Sequence, residues 1–247
     1  MTYDARKVIE ISGEDRMQFL QGLITNDVKG LETGAVYAAL LTPQGKFMVD
    51  FFLVPEGDVI LMDLPASQAE TLLKRLTMYK LRSKVTLALT ERTVSRGPGP
   101  APEGAFQDPR TAEMGWRAYD GRSSEAADWD AIRVAHCVPE FGVELTPDTF
   151  ILEAGFERLH GVDFKKGCYV GQEITARMKH KTELRKGLAT VNIEGTAPVG
   201  TEIVTEDGKT AGTLFTQSGD KAIAYLRFDR SKGPLTAGEA RIHFAAS

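Results

Sequence analysis

The chain has 247 residues, of which 42% are apolar and 26% are charged, so its composition is that of an ordinary globular protein with one large or two small domains. Its formal net charge of -4 excludes a global field that would draw it to nucleic acid or membranes. The two cysteines, Cys137 and Cys168, form neither a disulfide framework nor a CxxC pair.

This cysteine usage indicates a reducing compartment. The N-terminal residues include Asp4, Arg6, Lys7 and Glu10, and they lack the apolar stretch of a signal peptide. No window approaches the roughly 18 apolar residues of a transmembrane helix. We therefore expect a cytoplasmic protein without a membrane partner.

The first half of the chain alternates helix and strand signals. Apolar residues at three-to-four spacing after Ser12 predict a first helix. Residues 34–54 predict two strands joined by a type I turn at Thr42-Pro43-Gln44-Gly45, which makes a hairpin. The next predicted elements are a strand at Val59–Met62, a helix from near Pro65 or Ser67, and a strand at Lys84–Leu89.

The second half predicts a different architecture. A Pro/Gly-rich stretch near residues 96–109 predicts an exposed connection. Asp128–Cys137 predicts a helix that Val138-Pro139 ends. From Lys186 onward, short strands and turn signals predict a small antiparallel barrel or sandwich. The sequence thus predicts an α+β domain at residues 1–185 and an all-β domain at residues 186–247.

The most informative segment is Lys165-Lys166-Gly167-Cys168-Tyr169-Val170-Gly171-Gln172-Glu173. Flanking glycines let the backbone approach another molecule, and neighbouring cations favour the charged thiolate. Glu173 and Arg177 stand four apart, so we expect a helix to begin near Tyr169. Cys168 is a candidate reactive or ligating sulfur. The alternative is a small buried hydrophobe beside a tight turn.

The stretch KGCYVGQE followed by ITAR resembles the signature of the YgfZ family of folate-binding proteins, relatives of the glycine-cleavage T-protein, an aminomethyltransferase. Similar stretches are GEDRMQFLQGLITND, YAALLTPQGKFMVD, YKLRSKV and GTLFTQSGDKAIAYLR, so the resemblance covers nearly the whole chain except residues 91 to about 128. Val138-Pro139-Glu140 and the basic residues after Arg177 resemble the mitochondrial and α-proteobacterial branch.

The resemblance implies a GcvT-like fold, with ferredoxin-like subdomains around a central channel and a C-terminal β-barrel. It also implies a tetrahydrofolate-binding accessory factor that assembles or repairs [4Fe-4S] clusters in client enzymes, with Cys168 as the essential thiol. The implied partners are a reduced folate and iron–sulfur assembly proteins or client apo-enzymes. The implied classification is an accessory factor rather than a classical enzyme.

The resemblance also assigns roles to single residues. Asp50 is expected near the reacting nitrogen of tetrahydrofolate, and Tyr37 is expected against the pterin. The alternative for Asp50 is a strand-end carboxylate in solvent, and the alternative for Tyr37 is core packing. Trp129 and Arg133 match further folate contacts, whereas Ala135 stands where T-proteins have a pterin-binding glutamate. The motif residues that support Cys168 are Lys166, Gly167, Tyr169, Gly171, Gln172, Glu173 and Arg177.

Other functions stay open at this point. An aminomethyltransferase, or another folate-dependent one-carbon transferase, would use the same Asp50 and Tyr37. The basic run Lys165, Lys166, Arg177, Lys179, Lys181, Arg185 and Lys186 is either a solvated face or an anionic-ligand site. It is the only feature that favours RNA binding, so we expect any effect on tRNA modification to be indirect. No intrinsic metal site is predicted, because one chain has too few cysteines for a resident cluster, and Cys168 would be a transient cluster ligand.

Overall fold

The computed structural model describes residues 5–180 and 184–245. Packing divides the chain into two units, one formed by Met1–Ala127 and Glu157–Ala176 and the other by Asp128–Phe156 and Arg177–Ser247. The domain boundary placed after residue 185 stays a prediction. The last strands do begin at Lys186, but residues 128–156 pack with them.

The first unit is built on an antiparallel five-stranded sheet in the order β2-β3-β4-β1-β5. Its strands are β1 (Arg6–Ser12), β2 (Val36–Leu41), β3 (Phe47–Glu56), β4 (Val59–Pro65) and β5 (Thr86–Thr90). All six residues of β2 are buried, as expected for a continuous apolar run. β2 and β3 form the predicted hairpin, and Gly45 in its turn has a positive φ of 73°.

Two helices of this unit accompany the sheet. α1 covers Arg16–Gln21 and α2 covers Ala69–Lys80. Ala69, Leu72 and Leu76 are buried, as the three-to-four spacing predicts for one face of α2. Short 3₁₀ segments occupy Val28–Glu32, Ala66–Gln68 and Ala112–Met114.

The stretch expected as an exposed connection is only partly exposed. It contributes to a three-stranded sheet of β6 (Ser95–Gly97), β7 (Phe106–Gln107) and β8 (Trp116–Ala118), in the order β6-β8-β7. Residues 98–100 and 102–104 are exposed, but Gly97 and Asp108 are buried. The expectation was wrong at both ends because it rested on proline and glycine content alone, whereas β8 pairs with both flanks.

The second unit contains a helix and a closed barrel. α3 (Trp129–His136) begins after Asp128, whose side chain accepts a hydrogen bond from the Ala131 N–H at 3.0 Å, and it ends at Cys137 in the left-handed conformation. The barrel order is β10-β11-β12-β9-β14-β13. Its strands are β9 (Lys186–Glu194), β10 (Glu202–Thr205), β11 (Thr210–Ser218), β12 (Lys221–Arg227), β13 (Leu235–Ala237) and β14 (Ala240–His243), with a 3₁₀ segment at Phe228–Arg230.

The last helix, α4, covers Gln172–His180. It begins three residues later than the sequence predicted, because Gly171 has a φ of +83°, which a right-handed helix does not allow. Within residues 5–180 and 184–245, no helix combines the length and the apolarity needed to cross a membrane. Lys181 of the basic run lies outside the described residues.

Candidate functional site: an exposed thiol and a buried carboxylate

Cys168 lies in residues 164–171, which precede α4 and which we call the thiol loop. Its side chain is exposed to solvent, as are Lys165 and Gly167. The neighbouring Lys166 and Tyr169 are buried, with only 6% and 7% of their surfaces exposed. The sulfur is therefore reachable from solvent, unlike the buried hydrophobe of the alternative interpretation.

Lys166 ties the thiol loop to the segment that follows α1. Its Nζ donates to the carbonyl oxygens of Gln21, Ile24 and Asn26 at 2.9, 2.6 and 2.9 Å. The ammonium also lies 5.0 Å from the centre of the Tyr169 ring. Burial lowers the pKa of Lys166 to about 8, while the charges of Asp27 and Asp163 act in the opposite direction.

Thr25 and Asn26, in the same segment, fasten β2 to the chain that leads into the thiol loop. Thr25 Oγ1 donates to the Gly161 carbonyl at 2.7 Å and accepts from the Ala39 N–H at 2.9 Å. Asn26 Nδ2 donates to the carbonyls of Tyr37 and His160 at 2.8 and 2.7 Å. Sequence reasoning assigned no role to these two residues, because their partners Gly161 and His160 lie more than a hundred positions away.

Gly171 holds the other end of the thiol loop against the β2–β3 hairpin. A Cβ at this position would lie 2.6 Å from the Thr42 carbonyl oxygen and 2.9 Å from Leu41 Cβ. Gly45 makes a similarly close contact with Ile174, because a Cβ added to Gly45 would lie 2.7 Å from the Cβ of Ile174. Glycine is thus required on both sides of this contact, and the approach fixes where the loop ends.

The remaining motif residues surround this contact. The Gln172 N–H donates to the Tyr169 carbonyl at 3.2 Å, which closes the turn into α4. Glu173 and Arg177 are exposed on α4. Their supporting roles stay predictions.

Asp50 and Tyr37 are brought together within the first sheet. They occupy diagonal positions of the β2–β3 pair, and Tyr37 Oη donates to Asp50 Oδ2 at 3.0 Å. Tyr37 has no exposed surface, and Asp50 is 4% exposed. The second carboxylate oxygen, Oδ1, is buried and has no hydrogen-bond partner among the described residues. A buried acceptor of this kind is a candidate contact for a ligand N–H.

Arg110, from the stretch after residue 91 that the family resemblance does not cover, packs against Tyr37. Arg110 Cζ lies 5.3 Å from the centre of the Tyr37 ring, and Asp108 holds the guanidinium through contacts of 3.0 and 2.8 Å. Burial would raise the pKa of Asp108, but the charge and hydrogen bonds of Arg110, with the charge of Arg117, lower it overall. Burial, followed by the charge of Asp50, raises the pKa of Tyr37. Sequence reasoning missed Arg110 and Asp108, because nothing local marks them.

Trp129 and Arg133 lie in the second unit, on α3. Trp129 is 8% exposed. The Arg133 guanidinium is buried and donates to Glu144 Oε2 at 3.1 Å, the Val138 carbonyl at 2.9 Å and Thr216 Oγ1 at 2.9 Å. Ala135, in the position of the missing glutamate, is exposed. Folate contacts by Trp129 and Arg133 stay predictions.

Across the described residues, no three His, Cys, Asp or Glu side chains converge as metal ligands would.

Comparison with known proteins identifies the family. A family model for the CAF17 C-terminal beta-barrel domain matches residues 185–246. The mouse mitochondrial iron-sulfur cluster assembly factor IBA57 is 33% identical over 94% of this chain and 78% of its own length. The human protein of that name is 31% identical over 99% of this chain and 82% of its own length.

The chain belongs to the IBA57/CAF17 family of iron–sulfur cluster assembly factors. YgfZ proteins are the bacterial homologues of this family, so the recognised resemblance is confirmed at that level, and the branch stays a prediction.

A solved structure supports the fold. The glycine cleavage system aminomethyltransferase T from Bartonella henselae superposes with a TM-score of 0.76, at 15% identity, over 98% of this chain and 84% of its own. The predicted fold class is confirmed: this IBA57/CAF17 family member has mixed α+β content, a GcvT-like fold and a closed six-stranded antiparallel barrel.

The expected cytoplasmic location is contradicted. IBA57 relatives from mouse, human and a fungus are named as mitochondrial proteins and point to the mitochondrion. The expectation failed because cysteine usage indicates only a reducing compartment, and the mitochondrial matrix is reducing as well.

Proposed function

We propose that this protein is an accessory factor for the assembly or repair of [4Fe-4S] clusters in client enzymes, with the Cys168 thiol as its functional group. Membership of the IBA57/CAF17 family supports the cluster-assembly part. The observation that carries the thiol part is the exposure of Cys168 on a loop fastened at both ends by Lys166 and Gly171.

The thiol acts on a cluster as cargo. A thiolate is the usual protein ligand of iron–sulfur clusters, and a single exposed one completes a ligand set only together with thiolates of a partner. The partner is an assembly protein or a client apo-enzyme. One ligand per chain also suits release, because the cluster leaves when the client's own cysteines replace Cys168. Effects on tRNA modification would then be indirect, through cluster-containing modification enzymes.

Loss of the protein from its cells tests the assembly role. We expect the activity of enzymes with [4Fe-4S] clusters to fall, while enzymes without clusters in the same compartment keep theirs. Enzyme assays on the same extracts measure both groups. Unchanged [4Fe-4S] enzyme activity would contradict the assembly role.

We further propose that a reduced folate, tetrahydrofolate or a relative, binds at Asp50. The partnerless Oδ1 supports this, because a carboxylate oxygen accepts the N–H donors of a reduced pterin. Tyr37 is fully buried and supports Asp50 through its hydroxyl, and Asp50 is 4% exposed, so contact of either residue with the pterin would need a movement of the side chains that cover them. Bound folate would supply a one-carbon carrier, and Asp50 would orient it and exchange a proton at a ring nitrogen.

Calorimetric titration with tetrahydrofolate tests the folate site. We expect saturable binding that Asp50→Asn weakens by about ten-fold or more, because a charge-assisted hydrogen bond is lost. Asp58→Asn is the matched control, since Asp58 is exposed in the turn between β3 and β4 and should leave the affinity unchanged. Equal affinities for the wild-type protein and Asp50→Asn, or no saturable binding at all, would remove the folate from this site.

A further inference from the structure

The ammonium group of Lys166 meets three carbonyl oxygens at once. Gln21, Ile24 and Asn26 supply them, at 2.9, 2.6 and 2.9 Å from Nζ. A lysine ammonium has three N–H donors, so this contact uses its full capacity. The Lys166 ammonium therefore binds backbone carbonyls. Its sequence position two residues before Cys168 instead predicts a cation that favours the thiolate form of Cys168.

The three carbonyls belong to the turn that leaves α1. Gln21 is the last residue of α1, and carbonyls at the end of a helix have no partner within it. Lys166 supplies partners from about 140 positions further along the chain. The contact thus stabilises the turn and fixes the start of the thiol loop through the same atom.

The opposite end of the loop is fixed by the close approach of Gly171 to Thr42. Cys168 lies two residues after Lys166 and three before Gly171, and the segment between the two anchors has no regular secondary structure. The position of the sulfur is therefore set by these two anchors rather than by a helix or a strand.

We propose that Lys166 is a positioning residue for Cys168: its three carbonyl contacts, and not its charge as such, hold the thiol where a partner's cluster can meet it. This inference rests on the proposed role of Cys168 in cluster assembly.

Arginine separates geometry from charge at this position. The three carbonyls converge on one tetrahedral nitrogen, whereas the donors of a guanidinium diverge in a plane and belong to a larger group. Lys166→Arg therefore keeps the charge and loses the anchor, while Lys166→Met loses both. Lys165 is the matched control, because it has the same side chain, lies next in sequence and is exposed.

The experiment compares the wild-type protein with Lys166→Met, Lys166→Arg and Lys165→Met. Amide hydrogen exchange is followed over residues 22–27 and 164–170. We expect exchange in both segments to rise by about ten-fold or more in the two Lys166 variants, from loss of charge-assisted hydrogen bonds, and to stay unchanged in Lys165→Met. Unchanged exchange in strands β1 to β4 of the first sheet, which belong to the same unit as Lys166, shows that a variant is folded. If a Lys166 variant is not folded, Lys166→Gln, which retains an N–H₂ group, takes its place.

The same variants are assayed for [4Fe-4S] client activity in cells that lack the native protein. We expect both Lys166 variants to lose activity to a similar degree. Wild-type client activity in Lys166→Arg, together with a loss in Lys166→Met, would assign the effect to charge and overturn the proposal. Raised exchange in the two Lys166 variants with full client activity would overturn it as well. If Cys168→Ser itself keeps full activity, the proposed function fails, and the exchange data then report on the anchor alone.

Discussion

Replacing Arg133 by methionine is expected to destabilise the protein by about 3–5 kcal/mol, because it leaves a buried carboxylate without its cation. Glu144 is 3% exposed, and its Oε2 lies 3.1 Å from Arg133 Nη1. The guanidinium also donates to Thr216 and to the Val138 carbonyl, which lose partners as well. Urea denaturation of the purified variant measures the loss.

A double variant tests the cause. Arg133→Met combined with Glu144→Gln removes the uncompensated charge and keeps an acceptor for the Thr216 hydroxyl, so we expect it to recover much of the lost stability. Arg92→Met is the control, since its pair with Glu56 is partly exposed and is worth about 1 kcal/mol or less. A loss in Arg133→Met no larger than in Arg92→Met would contradict a structural role and favour the predicted folate contact.

Local patterns were sufficient to predict several elements. The turn at Thr42–Gly45 combines proline and glycine at the positions of a type I turn, and the hairpin forms around it. Asp128 and Pro139 bracket α3, and the structure uses Asp128 as the helix cap. Short strands separated by turn residues predicted a small antiparallel barrel or sandwich, and the strands form a closed barrel. In each case the signal and its consequence lie within a few residues of each other.

Contacts between distant residues could not be predicted in the same way. Strand β1 lies inside its sheet, between β4 and β5, yet its charged residues Arg6, Lys7 and Glu10 conceal it in the sequence. The buried positions of Asp108 and Arg110 depend on β8 and on the ring of Tyr37. Proline and glycine content alone predicted exposure there.

In the candidate site too, local sequence reveals the motif but not the contacts that its residues make with distant parts of the chain. The motif around Cys168 was recognisable because it is continuous in sequence. What the motif residues do depends on partners elsewhere: Lys166 contacts the turn after α1, and Gly171 contacts the β2–β3 turn. The helix expected from Tyr169 begins at Gln172 for that reason, because the contact with the hairpin requires a positive φ at Gly171.

The thiol proposal predicts a loss of function without a loss of stability. Cys168 is exposed, so exchanging its sulfur for oxygen removes no buried contact, and the free energy of unfolding should change by about 0.5 kcal/mol or less. A hydroxyl is not a cluster ligand of comparable strength at neutral pH. We therefore expect Cys168→Ser to reduce [4Fe-4S] client activity in cells by about ten-fold or more.

The most direct measurement compares cells that lack the native protein and carry the wild-type chain, Cys168→Ser or Cys137→Ser at equal abundance. Cys137 is the chain's other cysteine and lies at the end of α3. The activity of a [4Fe-4S] enzyme, relative to a cluster-free enzyme in the same extract, is expected to be restored by the wild-type chain and by Cys137→Ser but not by Cys168→Ser. Full restoration by Cys168→Ser would contradict the account.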